Sequence, residues 1–300
     1  MLKIAYSNTF PHLLPPGHRF PMEKYSLIPA QLLHEGSFTE ANFFHPKPID
    51  DELILKVHDK EYLEKLKTLS LSKREQRVTG FPLSAGLVQR ELEITQGTVS
   101  GVDYALQYGA SANVAGGTHH AYPGHGEGFC LLNDIAIASH YAIDNLRKKK
   151  ILVIDLDVHQ GNGTAFIFKG DDRVFTFSVH GAKNYPHHKE KSDLDIALDD
   201  NTDDNTYLKI VRENIPKLIQ SQKPDLIFYL AGVDVLKTDK LGRLALTIDG
   251  CKTRDQIVFE EIAKQEIPVV FNMGGGYSER IATIVDAHAN TFKVAREVFF

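Results

Sequence analysis

Cysteine is scarce in this chain: two residues in 300, Cys130 and Cys251, with no CxxC spacing. That excludes a disulfide framework and a cysteine-based zinc knuckle, and makes a reducing compartment, the cytoplasm, the expected home. Long apolar runs are also missing. No stretch approaches the ~20 residues of a membrane span, and Pro11 interrupts the N-terminal segment before one can develop, so neither span nor leader is expected. There is no basic stripe either. The formal charge is -5 and the longest basic run is Lys148 to Lys150, which argues against direct nucleic-acid binding by phosphate neutralisation. Repeats, low-complexity segments and Gly-, Ser- or Pro-rich linkers are lacking, so residues 1–300 are expected to form one domain.

What is present is a regular alternation. Short apolar runs ("KIAY", "ANVAGG", "KILVIDLDV", "RVFTFSV", "DLIFYLAGV", "PVVFNMGGG") read as strands covered on both faces. Between them lie amphipathic stretches that predict helices, among them a long one over Ser84 to Tyr108. The expected fold is a three-layer α/β/α domain with a mainly parallel central sheet. Asn133 and Asp249 are candidate N-caps, Lys148 to Lys150 suit a helix C-terminus, and Pro224 and Pro268 mark entry into strands. Residues 70 to 83 and 182 to 206 read as loops.

Chemistry collects where strands end: "GGTHH", "DVHQGNG", "SVHG", "AGVD" and "GGGY". Ligands of open α/β sheets bind outside the carboxyl ends of strands, so these distant endings can share one crevice. In "IDLDVHQGNG", period two puts Asp155, Asp157 and His159 on one strand face. Carboxylates this close stay ionised only beside positive charge, and a cation is the obvious candidate. Asp157, His159 and Asp234 supply three ligands and leave room for water, as catalytic zinc requires. Taken alone, the triplet could equally cap a strand end; the other motifs tip the balance toward metal.

Adjacent His119 and His120 reach one pocket only if the chain turns, which Gly116 and Gly117 permit, and a histidine pair near a metal suits proton transfer. His34, His45, His58, His140 and His288 read as structural, and His187 with His188 as residues of a surface loop. "NMGGGY" lacks the Lys-Ser/Thr of a phosphate loop; its glycines, Gly275 among them, let backbone press against a ligand and present Tyr277 as an oxyanion donor.

Together "GGTHHA", "GEGFCLLND", "DLDVHQGNG", "AGVD" and "GGGY", in this order, resemble the histone deacetylase family of the arginase/deacetylase fold, over nearly the whole chain. The resemblance implies Asp157, His159 and Asp234 as ligands of Zn2+, with Fe2+ as an alternative, and Tyr277 as the residue polarising the substrate carbonyl. It implies Phe129 as a wall of an acyl-lysine tunnel and Gly128 as the carbonyl facing the substrate nitrogen. Asp155 matches the acid orienting the first histidine and, with Ser178, a contact of a structural K+. Lys24 matches a basic residue of an internal acetate cavity. Asn162 departs from the aspartate of class I enzymes and looks like the class IV pattern; an amide raises its histidine's pKa less than a carboxylate would.

The implied activity is hydrolysis of Nε-acyl-lysine in a protein or peptide, with a long fatty acyl preference raised by the class IV pattern. An acetylpolyamine amidohydrolase is the nearest alternative. A two-metal ureohydrolase is disfavoured because Gly161, Gly232 and Leu236 offer no bridging carboxylate. A metal-stabilised binding module without turnover is disfavoured because Tyr277 and both histidines accompany the ligand set.

Overall fold

The computed structural model describes all 300 residues. Eight strands form one sheet: β1 (Lys3–Ala5), β2 (Phe43–Phe44), β3 (Ala110–Asn113), β4 (Ile151–Asp155), β5 (Val174–Gly181), β6 (Leu194–Leu198), β7 (Leu226–Leu230) and β8 (Val269–Asn272). Their order is β2-β1-β3-β8-β7-β4-β5-β6 and every pairing is parallel. The near-continuous apolar text of β4, β7 and β8 has its reason here: each of their residues is buried, because helices cover both faces.

The helices are α1 (Lys24–His34), α2 (Asp51–Ile54), α3 (Lys60–Lys67), α4 (Lys73–Thr79), α5 (Ala85–Tyr108), α6 (Asp134–Asp144), α7 (Asn162–Ile167), α8 (Asp204–Gln222), α9 (Ile248–Lys264) and α10 (Ile281–Phe299). One layer is built on α5 and α6; α8, α9, α10 and α1 pack in succession as the other, and β3 touches both α5 and α10. The three-layer α/β/α expectation holds, with a sheet that is wholly parallel.

Local signals explain most boundaries. Ser84 caps α5 by accepting from Leu87 N at 3.1 Å, and Asn133 caps α6 by accepting from Ala136 N at 3.0 Å. Three expectations need correction. Thr247, not Asp249, caps α9, its hydroxyl accepting from Gly250 N at 2.9 Å. Lys148 to Lys150 lie beyond α6, which ends at Asp144, in the lead into β4. The loops expected over 70 to 83 and 182 to 206 contain α4 and β6.

Parallel pairing sends every strand's carboxyl end to the same edge of the sheet. Four of the five polar endings follow β3, β8, β7 and β4, which are consecutive neighbours at its centre. The crevice is therefore a consequence of strand order.

Candidate active site

β4 stops at Asp155, so period two does not carry Asp157 and His159 to their places. Two successive side-chain turns do. Asp157 N donates to Asp155 Oδ1 at 3.1 Å, and His159 N donates to Asp157 Oδ1 at 2.9 Å. Asp234 arrives from beyond β7. His159 Nδ1 then lies 3.1 Å from both Asp157 Oδ1 and Asp234 Oδ2, so an imidazole and two carboxylates converge on one point. The remaining carboxylate oxygens are held by backbone: Gly275 N donates to Asp157 Oδ2 at 2.7 Å, and Val158 N to Asp234 Oδ1 at 2.9 Å. A Cβ on Gly275 would strike the Asp234 carboxylate, which is why glycine stands there.

These groups are buried, and each shifts the proton affinity of the others. Burial and the Asp157 charge push Asp234 up to about 7. Burial pulls His159 down, but bonds to Asp157 and Asp234 outweigh it and raise the imidazole to about 10. Two carboxylates and an imidazole facing one buried point form a donor set that a divalent cation would satisfy, and O2N suits zinc.

His119 and His120 sit in a turn after β3, their ring centroids 4.1 Å apart. Gly117 takes φ +95°, and the Asp134 carboxylate pins the turn by accepting from Gly117 N and Thr118 N. Asp155 Oδ2 accepts from His119 Nδ1 at 2.7 Å. Burial pulls His119 down, yet the Asp155 charge and hydrogen bond prevail and its pKa stands near 9. His120 differs. Burial and the neighbouring His119 and His159 push it well below 6.5. Its Nδ1 lies 2.6 Å from Asn162 Oδ1, and the Asn162 amide donates to Glu127 Oε1 at 2.6 Å, which fixes the orientation of that amide. His120 Nδ1 therefore carries the proton and leaves Nε2 as an acceptor.

Tyr277 follows Gly276, and its backbone N–H donates to Asp239 Oδ2 at 2.6 Å. Burial, then the charges of Asp234 and Asp157, hold its phenol well above 10, so it stays a donor. Phe129 lies opposite, 5.9 Å between ring centroids. Gly128 and Phe129 both have positive φ, +56° and +68°, and are anchored to α4 through Val78 O and Thr79 O. A cavity of about 610 Å3 opens above His120, Gly128, Phe129, His159 and Tyr277. Behind the cluster a small chamber of about 40 Å3 reaches Tyr25 and Gly274.

Residues 18–292 match the histone deacetylase domain family. The chain belongs to the histone deacetylase family. Among its relatives are an uncharacterized protein of Picosynechococcus, 41% identical over 99% of both chains, and histone deacetylase 2 of Arabidopsis thaliana, 29% identical over 89% of this chain and 72% of that one. A histone deacetylase homolog from Aquifex aeolicus superposes with a TM-score of 0.84, covering 98% of this chain and 84% of that one at 21% identity, and so shares the fold. Membership places the chain among that family's hydrolases. No helix is long and apolar enough to cross a membrane.

Within this family frame the remaining expected residues also fall near the crevice. Asp155 and Ser178 are register partners on β4 and β5, and the Ser178 hydroxyl lies 2.9 Å from His180 Nδ1. Lys24 is fully buried, and its Nζ donates at 3.2 Å to the carbonyl of Gly274, a residue of the small chamber. His58 is structural: its Nε2 accepts from Asn133 N at 2.9 Å. His187 and His188 are exposed, with His187 at the mouth. Two residues escaped sequence reasoning. Tyr185 stands 5.1 Å from His120, ring to ring, and donates to Glu127 Oε1 at 2.6 Å. Glu127 was legible only as part of "GEGF", with nothing in that text to tie it to Asn162.

Proposed function

We propose that residues 1–300 form one catalytic domain that hydrolyses Nε-acyl-lysine in a zinc-dependent reaction in the cytoplasm, where Cys130 and Cys251 remain free thiols. One observation carries the reading: a buried O2N donor cluster, a neutral imidazole and a protonated phenol meet at the floor of one open cavity. Held by Asp157, His159 and Asp234, zinc supplies the Lewis acidity that activates water and polarises an amide carbonyl; Fe2+ accepts the same donors.

The substrate's alkyl chain passes Phe129 and Tyr185, and the Gly128 carbonyl accepts from its amide N–H. Gly275 backbone closes the floor beneath the acyl group. His120 Nε2 takes the proton of the attacking water, oriented by Asn162 through Nδ1–H. Tyr277 donates to the oxyanion as it develops. His119, cationic at neutral pH because of Asp155, favours negative charge nearby, and His120 returns its proton to the departing amine nitrogen. Asp155 and Ser178, side by side on adjacent strands, are proposed to hold a structural K+.

The chamber of about 40 Å3 has room for little more than a water or two, which favours acetyl over the long fatty acyl groups. The test compares acetyl-, decanoyl- and myristoyl-lysine peptides with acetylspermidine, with and without a chelator. Acetyl-lysine peptide is expected to be hydrolysed fastest, and the rate to vanish with chelation. Turnover of acetylspermidine alone would replace the reading with the polyamine one. A ureohydrolase needs a second metal, and Gly161 instead backs directly onto Asp155 and His119; one zinc per chain is expected.

A further inference from the structure

The mouth of the cavity is lined by five cations from four separate segments of the chain. Arg19, Arg77, Lys183, Lys240 and Arg243 all border it, and no aspartate or glutamate does. All five are exposed. This arrangement runs against the protein's net charge of -5, so it is a local concentration and not a general property of the surface.

The surrounding acids do not neutralise it. Asp200 is shared by Lys183 and Arg243, at 3.6 and 3.0 Å, which leaves one positive charge over. Glu127 faces inward to Asn162 and Tyr185. Asp239 accepts from the backbone N–H groups of Leu241, Gly242 and Tyr277. Arg19, Arg77 and Lys240 make no ion pair. The Arg19 guanidinium lies 5.1 Å from the ring centroid of Phe129, so one of the unpaired charges sits on the wall through which a substrate side chain would enter.

We propose that this mouth selects acyl-lysine flanked by acidic residues. The proposal deepens the hydrolase reading and rests on it for the position of the scissile amide. A rim of like charge focuses the field at a cleft, attracts substrates of opposite sign and repels those of its own. A polyamine or a lysine- and arginine-rich tail meets repulsion at every side of this entrance. The charges are exposed and come from separate segments; they suit several carboxylates spread along an extended peptide better than one phosphate, which calls for converging donors.

The experiment uses the full zinc-loaded chain and three acetyl-lysine peptides identical except for flanking Asp/Glu, Ser/Gly or Lys/Arg. At low ionic strength kcat/KM is expected to be about tenfold higher for the acidic than for the basic peptide, mainly through KM, and the ratio to shrink in 0.5 M salt. The triple variant Arg19→Glu, Arg77→Glu, Lys240→Glu should reverse the ratio, and the triple substitution by Gln should bring it near one. A ratio taken within one preparation does not depend on how much of it is folded.

Fluorescence anisotropy with the same labelled peptides reads the ranking without turnover. Tightest binding of the acidic peptide with no hydrolysis of any would overturn the hydrolase reading and leave the charge selection standing. Equal kcat/KM and equal binding across the three, or a ratio unmoved by charge reversal, would overturn the selection itself. A single-stranded oligonucleotide that binds more tightly than the acidic peptide would reassign the mouth to nucleic acid.

Discussion

Asn162 puts an amide where a carboxylate would hold a histidine, yet a carboxylate is still present one step further out. Glu127 accepts from both the Asn162 amide and the Tyr185 hydroxyl at 2.6 Å. Burial raises its pKa, but hydrogen bonds from His125, Tyr185 and Asn162 outweigh it and hold the carboxyl below the ordinary carboxylate value. In that place it would position His120 through Asn162, with part of its charge reaching the imidazole. Glu127→Gln is expected to lower kcat about tenfold with little change in KM. Working as a base, His120 must be neutral, so activity falls as pH drops through its pKa, which already lies below 6.5. Removing the Glu127 charge makes the imidazolium less favourable, and the acid limb of the rate profile should move to still lower pH. A limb that stays put, or moves up, would show that Glu127 only packs. Tyr277→Phe tests a different group at the same scale. Loss of one oxyanion donor is expected to cost on the order of 10²–10³ in kcat while zinc content, measured by elemental analysis, stays at one per chain.

At the scale of elements, α4 shows how a short surface helix reaches the chemistry. Its capping box is complete: Ser72 Oγ accepts from Glu75 N at 3.2 Å and the Glu75 carboxylate accepts from Ser72 N at 2.6 Å. Its last carbonyls receive Gly128 N and Phe129 N, which keeps two residues of positive φ in the cavity wall. Ser72→Ala is expected to cost about 1 kcal/mol, lower Tm by about 2 °C, and raise KM more than it lowers kcat as the wall loosens. Unchanged KM would disconnect the helix from the site. α4 also marks a limit of reading: the Ser-x-x-Glu signal stands in the sequence, but "KREQRVT" has no apolar stripe to announce a helix. β6 was hidden for a related reason, since an edge strand with one covered face lacks the apolar run that revealed β4, β7 and β8. The donor cluster was legible because Asp157, His159 and Asp234 declare their chemistry by type; their route was not, because side-chain turns beyond Asp155 replaced the strand. Arg19, Arg77 and Lys240 were illegible as a group, since nothing local joins residues that only folding brings to one mouth.

For the whole molecule, the cost of gathering two carboxylates under the sheet's carboxyl edge links metal, pH and stability. Asp234, ordinarily near 3.8, stands at about 7 in the metal-free fold, with burial as the main cause and Asp157 next. A carboxyl raised on folding binds its proton more tightly in the native state, so through this group the metal-free protein gains stability as pH falls from about 7 toward the unfolded value near 3.8, and below that the gain levels off. Zinc held at the proposed site would reverse the sign. It requires Asp234 ionised and displaces the proton on His159, whose pKa near 10 means that the proton is present throughout the neutral range. Zinc affinity should therefore rise with pH, with proton release on binding. Titration calorimetry in two buffers of different ionisation enthalpy is expected to find more than one proton released per zinc near pH 6, where Asp234 and His159 both hold theirs, and about one near pH 8.5. The Tm gain from saturating zinc should shrink steadily from pH 8 to pH 5 as the proton competes for the same oxygens. A gain independent of pH would mean that the cation is held elsewhere than between Asp157, His159 and Asp234.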